Sequence, residues 1–316
     1  MFNKNTKQTT NNILMIRPAN FGFNEETAES NAFQSTIEDK SSKEIQLLAL
    51  QEFDAFVEKL RAYSINVIVI EDTPKPIKRD AIFPNNWVSF HESGIVVTYP
   101  MMAEIRRRER RTDIIELLKE DYIVDKEYSF EAYEEKEQYL EGTGSMVLDR
   151  RRKIAYASLS DRTNIKVLEK FAVLSNYQKV IFHATDESGL PIYHTNVMMS
   201  ICETFVVICA ECISSEVERN MLIKQLEATD KKILYITMEQ VRAYAGNMLQ
   251  VSQADGKSLV IMSEQAFRSL TPEQIMMLKG ESDFLYASIP TIEQIGGGSV
   301  RCMIAEVFLP EKPKLL

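Results

Sequence analysis

Asn196-Val-Met-Met-Ser-Ile-Cys-Glu-Thr-Phe-Val-Val207 is an apolar strand, a short polar turn and a second apolar strand, led in by an amide. Short β-rich runs on either side of a turn read as a hairpin. The same plan returns in Asn86-Trp-Val-Ser-Phe-(His-Glu-Ser-Gly)-Ile-Val-Val97, in Ser145-Met-Val-Leu-(Asp-Arg-Arg-Arg-Lys)-Ile-Ala-Tyr156 and in Asn247-Met-Leu-Gln-Val-(Ser-Gln-Ala-Asp-Gly-Lys-Ser)-Leu-Val-Ile261. Ser299-Val-Arg-Cys-Met-Ile-Ala-Glu-Val-Phe308 is a fifth copy without a following partner strand. The anchors 86, 145, 196, 247 and 299 lie 51 to 59 residues apart, with helical stretches at 107–120, 163–171, 215–229 and 271–278 between them. A fixed period of this kind marks a repeat architecture.

Outward from the repeats, Ile13–Ile16 reads as a strand and Lys43–Tyr63 as a helix, with Ile45, Leu48, Phe53, Phe56, Val57 and Leu60 at helical spacing. Val67–Ile70 is a further strand. The expected fold is α/β, one catalytic domain over residues 13–316. Five hairpin-plus-helix modules would surround a central axis as a five-bladed pseudo-symmetric α/β propeller. Identity between the modules is low, and chance similarity is the competing reading. Residues 1–12, rich in Asn, Thr and Lys, read as a disordered N-terminal tail.

Composition narrows the function. The 316 residues carry 37 Lys+Arg against 46 Asp+Glu, a formal charge of −9, which argues against a generic nucleic-acid binder. No apolar run approaches the roughly 20 residues of a membrane span. The first dozen residues lack the basic-then-apolar plan of a signal peptide. Four cysteines make no disulfide framework, and the expected compartment is the reducing cytoplasm.

If the modules are equivalent, their lead-in residues meet. Those are Asn85 and Asn86, Glu141, His194 and Asn196, Gly246 and Asn247, and Cys302. A thiol, an imidazole and a carboxylate are the parts of an activated-nucleophile site. Each has an ordinary alternative. Cysteine is among the most buried residue types, although Cys302 follows the run Gly296-Gly-Gly298. His194 alone fits a packing role as well as a catalytic one. Glu141, among glycines, needs a partner if it is buried. His91 and His183 read as surface or turn positions. Cys209 and Cys212 read as core, and no set of metal ligands is visible. Arg106-Arg-Arg-Glu-Arg-Arg111 reads as a solvated helix face.

Asp80-Ala-Ile-Phe-Pro-Asn-Asn-Trp87, Leu140-Glu-Gly-Thr-Gly144, His194-Thr-Asn196 and Gly297-Gly-Ser-Val-Arg-Cys302 together resemble the guanidino-group-modifying (pentein) superfamily. That superfamily holds arginine deiminases, dimethylarginine hydrolases and amidinotransferases. Met15–Ala19, Asn24–Asn31 and Ala245–Leu249 resemble its citrulline-utilisation hydrolases, the citrulline ureidases. The resemblance spans roughly residues 13 to 310 and implies the five-bladed fold. It implies Cys302 as nucleophile, His194 as acid and base, and Glu141 as the group that orients His194. It also implies arginines near 106–108 for a substrate carboxylate. Arg107 is the choice here, with Arg17, Arg162 and Arg301 as competitors.

The chain departs from the superfamily at two positions that normally carry carboxylates for a guanidinium cation: Asn86 and Asn196 stand there. A carboxylate pair suits a cation. Beside a neutral ureido group it would lack a counter-charge. An asparagine amide offers one acceptor and two donors, which match a urea's C=O and NH2. The two amides favour a neutral ureido substrate, and the resemblance implies that it is citrulline, cleaved to ornithine, CO2 and ammonia through a Cys302 thiocarbamoyl intermediate. Asn86, Asn196, Asp80, Asn85 and Arg107 are the expected substrate contacts, and no metal or other cofactor is expected. One alternative is an arginine deiminase or amidinotransferase, in which Asp80 grips a guanidino substrate. The other is a non-catalytic ligand-binding propeller. The expected partner is a small ureido or guanidino amino acid, with no nucleic acid and no membrane, and a homodimer is compatible with this reading.

Overall fold

The computed structural model describes residues 6–28 and 30–313. Its strands fall into five three-stranded sheets, each built to one plan. A central strand pairs antiparallel with one neighbour and parallel with the other. β1 (Asn12–Arg17) lies parallel to β2 (Asn66–Glu71), in register from Asn12 opposite Asn66 to Arg17 opposite Glu71. β3 (Val88–Phe90), β4 (Ile95–Thr98) and β5 (Lys126–Ser129) form the next sheet. β6 (Val147–Asp149), β7 (Ile154–Ser158) and β8 (Gln178–Phe182) form the third. The fourth is β9 (Met199–Ile201), β10 (Phe205–Ile208) and β11 (Lys232–Tyr235). The fifth is β12 (Leu249–Ser252), β13 (Ser258–Ser263) and β14 (Asp283–Ala287).

The last strand, β15 (Ala305–Glu306), completes the first sheet, antiparallel to β1 with Ile13 opposite Glu306 and Leu14 opposite Ala305. The fifth copy of the motif thus finds its partner at the other end of the chain. Only two of its residues are strand. Ser299–Met303 forms a turn instead, and this turn presents Cys302.

A helix connects each pair of parallel strands: Ser42–Ala62, Thr112–Asp121, Ile165–Ser175, Glu216–Glu227 and Pro272–Glu281. The first shows why. Its Ser41 side chain accepts from Glu44 N–H, and the Glu44 carboxylate accepts from Ser41 N–H, which satisfies two end donors. Ile45, Ala49, Phe53, Phe56, Val57 and Leu60 recur every three or four residues and are buried. They pack with Ile13, Met15, Val67, Ile261 and Leu285 of neighbouring strands. Full burial of each large side chain is worth roughly 1.5–3 kcal/mol. The central strands are dry on both faces, with Leu259, Val260, Ile261 and Met262 of β13 inaccessible to solvent.

The expectation of a disordered tail through Asn12 is corrected for residues 6–12. Gln8 is buried, and its Nε2 donates to Leu148 O at 3.0 Å while its Oε1 accepts from Arg150 N–H at 2.8 Å. The polar composition serves hairpin backbone groups that strand pairing leaves free. Residues 1–5 of the expected tail lie outside the described residues. His91 is likewise not a surface residue. It is buried, with Nε2 2.8 Å from Ser89 Oγ, and burial lowers its pKa well below the usual imidazole range. No helix among the described residues is long and apolar enough to cross a membrane.

Candidate active site

In each sheet the strand antiparallel to the central one is preceded by a tight turn, and these turns pack on one another. The turn Gly142–Ser145 lies against both Pro84–Asn86 and Thr195–Val197. The contact is close enough to dictate glycine: a Cβ on Gly144 would fall 2.4 Å from Asn86 Nδ2 and 2.9 Å from His194 Nδ1. The lead-in residues singled out in the sequence therefore do meet.

His194 Nε2 is 2.8 Å from Glu141 Oε2, with both side chains buried. Glu141 Oε1 accepts from Met102 N–H at 3.1 Å, and Arg162 Nη1 lies 3.7 Å from Oε2. Burial pushes the Glu141 carboxyl up, but Arg162, His194 and Arg106 together outweigh it and bring it down to about 2. Burial lowers the His194 pKa below the ordinary imidazole value, against the pull of Glu141. Near neutral pH the pair is thus a neutral imidazole on an ionised carboxylate. The ring proton belongs on Nε2, donated to Glu141, and Nδ1 keeps its lone pair. An imidazole held this way can give and take protons.

Cys302 shares a pocket wall with His194, Tyr193, Asn86, Asp80, Arg106, Arg162, Phe83, Thr27 and Asn31, and with the glycines 296–298. Its sulfur is 3.3 Å from Asn247 Nδ2 and 3.7 Å from Asn196 Nδ2. Asn196 is not part of this wall; it reaches the site through the sulfur. Asn196 Oδ1 is buried without a partner.

Asn86 and Asp80 bring unpartnered polar atoms to this wall. Arg106 Nη1 donates to Asn86 Oδ1 at 3.0 Å. Only the oxygen of an amide can accept, so this bond fixes Nδ2 as the free end. Asn86 Nδ2 and Asp80 Oδ1 are both buried with no partner. The other Asp80 oxygen, Oδ2, accepts from Asn24 Nδ2 at 2.6 Å and lies 3.8 Å from Arg106 Nε. Burial raises the Asp80 pKa, and Arg106 opposes the rise.

Arg106 was read as part of a solvated face, and that reading is corrected. It is 3% exposed and held by Glu109 Oε1 at 3.0 Å and Oε2 at 2.9 Å, by Phe83 O at 3.3 Å and by Asn86. Arg107, the expected carboxylate contact, turns away instead. Its Nε donates to Met101 O at 3.0 Å and lies 3.3 Å from Glu134 Oε2. The two neighbours sit on different faces of the short helix Glu104–Arg107, and the inward register falls on the first. Asn85 is buried and both its amide atoms are unpartnered, but it does not line the pocket. Arg162, a competitor in the sequence reading, does line it, stacked 4.9 Å from the Tyr193 ring. Asn247 was noted for its place in the fourth module and assigned no role. Its equivalence to Asn86 and Asn196 was the available signal. Nothing in the run of arginines marked Arg106.

A family model described as N,N dimethylarginine dimethylhydrolase, eukaryotic, matches residues 17–309. The chain belongs to the N,N-dimethylarginine dimethylhydrolase family. Membership places it in the guanidino-modifying pentein superfamily, as the four motifs implied. No curated protein matches the chain. Among solved structures, the fold is similar to apo ArgZ, an arginine dihydrolase from the ornithine-ammonia cycle in cyanobacteria, at TM-score 0.73 and 14% identity. That likeness covers 96% of this chain and 41% of ArgZ, so the chain spans about two fifths of its relative. A substrate-bound mutant of the ArgZ N-terminal domain alone is similar at TM-score 0.72 and 14% identity, over 95% of this chain and 98% of the domain. A dimethylarginine dimethylaminohydrolase mutant in an adduct with S-methyl-L-thiocitrulline is similar at TM-score 0.62 and 17% identity, over 94% and 99%. At these identities the likeness is one of fold.

Proposed function

We propose that the chain is a cysteine hydrolase of ureido amino acids that cleaves the bond between the ureido carbon and the side-chain nitrogen, with citrulline as substrate and ornithine, CO2 and ammonia as products. The observation that carries this is the Asn86 amide. Arg106 occupies its oxygen, leaving a buried N–H donor on the same pocket wall as the free carboxylate oxygen of Asp80. A ureido group presents a carbonyl to the donor and an NH2 to the acceptor. A guanidinium would set an N–H against Asn86 Nδ2, and its charge against the buried Arg106.

In this reading, the Cys302 thiol proton passes to His194 as the sulfur adds to the ureido carbon. His194 returns the proton to the leaving nitrogen as its bond to that carbon breaks, which leaves a thiocarbamoyl group on Cys302. Water, deprotonated by His194, then displaces the sulfur, and the carbamate released breaks down to CO2 and ammonia. Glu141 steadies the imidazolium in both halves. The five sheets are read as propeller blades around this site. A reducing setting suits the thiol, so the cytoplasm belongs to the proposal.

A guanidino substrate is the second reading. It is favoured by the unpaired Asp80 oxygen and by a family whose name is that of an N,N-dimethylarginine hydrolase. The substitution Asn86→Asp separates the two. The ureido reading predicts that kcat/KM on citrulline falls, and that the arginine-to-citrulline ratio rises by about tenfold or more, as expected for losing one good hydrogen bond. An unchanged ratio with both activities present would contradict the role given to Asn86.

A further inference from the structure

We propose that Asn247 is a catalytic residue, an amide clamp on the Cys302 sulfur whose neutral donor favours the thiolate. The proposal rests on Cys302 being the nucleophile and not on the identity of the substrate.

Asn247 is buried, and every polar atom of its side chain is used. Oδ1 accepts from Arg301 N–H at 3.1 Å. Nδ2 donates to Asn196 O at 3.0 Å and points its second hydrogen at Cys302 Sγ, 3.3 Å away. A flipped amide would set its NH2 against Arg301 N–H and its oxygen against Asn196 O, so the donor is held toward sulfur. The backbone enforces the placement. A Cβ on Gly246 would fall 2.3 Å from Val197 O, so the loop carrying Asn247 lies flat on the Thr195–Val197 turn.

The clamp serves both states of the sulfur. The thiol hydrogen can reach Asn247 Oδ1 at 3.7 Å. Once the proton has left, the sulfur accepts from Asn247 Nδ2 at 3.3 Å and from Asn196 Nδ2 at 3.7 Å. Hydrogen bonds to an ion are roughly twice as strong as neutral ones, so the pair gains most when sulfur ionises. The guanidinium of neighbouring Arg301 is committed elsewhere, to Ile304 O at 3.0 Å and Glu306 Oε2 at 3.0 Å. The side chains that hydrogen-bond the sulfur are neutral amides. A neutral clamp leaves the pocket's charge to Arg106, Arg162 and the carboxylates they face.

The test is the rate at which iodoacetamide alkylates Cys302, followed by peptide mass at neutral pH with no substrate present. Asn247→Asp keeps the acceptor for Arg301 N–H and turns the donor into an acceptor. Asn247→Ala removes the donor and adds no charge. Both variants are expected to react at least about tenfold more slowly than the wild-type protein, the size of a lost hydrogen bond to a charged group. On any substrate the protein turns over, kcat falls in step and KM stays within about twofold. Denaturant unfolding identifies which variants are folded, and the alanine variant decides if the aspartate variant is not. An alkylation rate within about twofold of wild type in a folded variant would overturn the proposal. Because no substrate enters that measurement, it stands or falls apart from the citrulline assignment.

Discussion

Replacing Glu141 by Gln removes the one carboxylate that faces both His194 and Arg162. Its pKa in the fold is about 2 against an ordinary 4.5, because Arg162, His194 and Arg106 outweigh its burial. A folded-state value below the unfolded one means that the ionised group stabilises the fold. That contribution is complete above about pH 4.5 and is lost as pH falls toward 2. A fall of about 2.5 on folding corresponds to about 3 kcal/mol, of which about 2 kcal/mol has gone by pH 3. Glu141→Gln has no such carboxyl to titrate. Near pH 6 the variant is expected to be less stable by about 3 kcal/mol, because Arg162 keeps its buried charge without its partner. The gap between wild type and variant should then shrink by about 2 kcal/mol between pH 6 and pH 3. Urea unfolding of both proteins across that range measures it. A gap that stays constant with pH would refute the assignment of Glu141 as a buried, ionised partner. Activity has a separate expectation: losing the orienting carboxylate should lower kcat by about 100- to 10,000-fold.

Gly144→Ala should abolish turnover while leaving most secondary structure, because its Cβ would press on Asn86 Nδ2 and His194 Nδ1. Steady-state kinetics and circular dichroism together check that pairing. Arg106→Met should destabilise the fold by about 3–5 kcal/mol in denaturant unfolding, since it strands Glu109 and Asp80 without their cation. Arg107→Ala should keep KM within about twofold, because that side chain serves Met101 O and Glu134 rather than the pocket.

Much of this was legible in the chain. The helix Ser42–Ala62 could be drawn from spacing alone, because one apolar stripe faces one neighbour. The four internal hairpins were legible because their partner strands are adjacent in sequence. The completion of the first sheet was not, because β15 pairs with β1 from the far end of the chain, and no local pattern encodes a pairing of the termini. Module equivalence alone brings Glu141, His194 and Cys302 to one place. It could not say which of several arginines turns inward, since Arg106 and Arg107 differ only in helical phase. Nor could it show that Gln8 fills hairpin hydrogen bonds, as a polar residue gives the same signal in solvent and in a satisfied interior.

The most direct measurement is a product assay on the purified protein given citrulline or arginine, with Cys302→Ala beside it. The account predicts ornithine and ammonia from citrulline, neither from arginine, and no product from the variant. Citrulline formed from arginine, or turnover that survives the loss of the thiol, would contradict it.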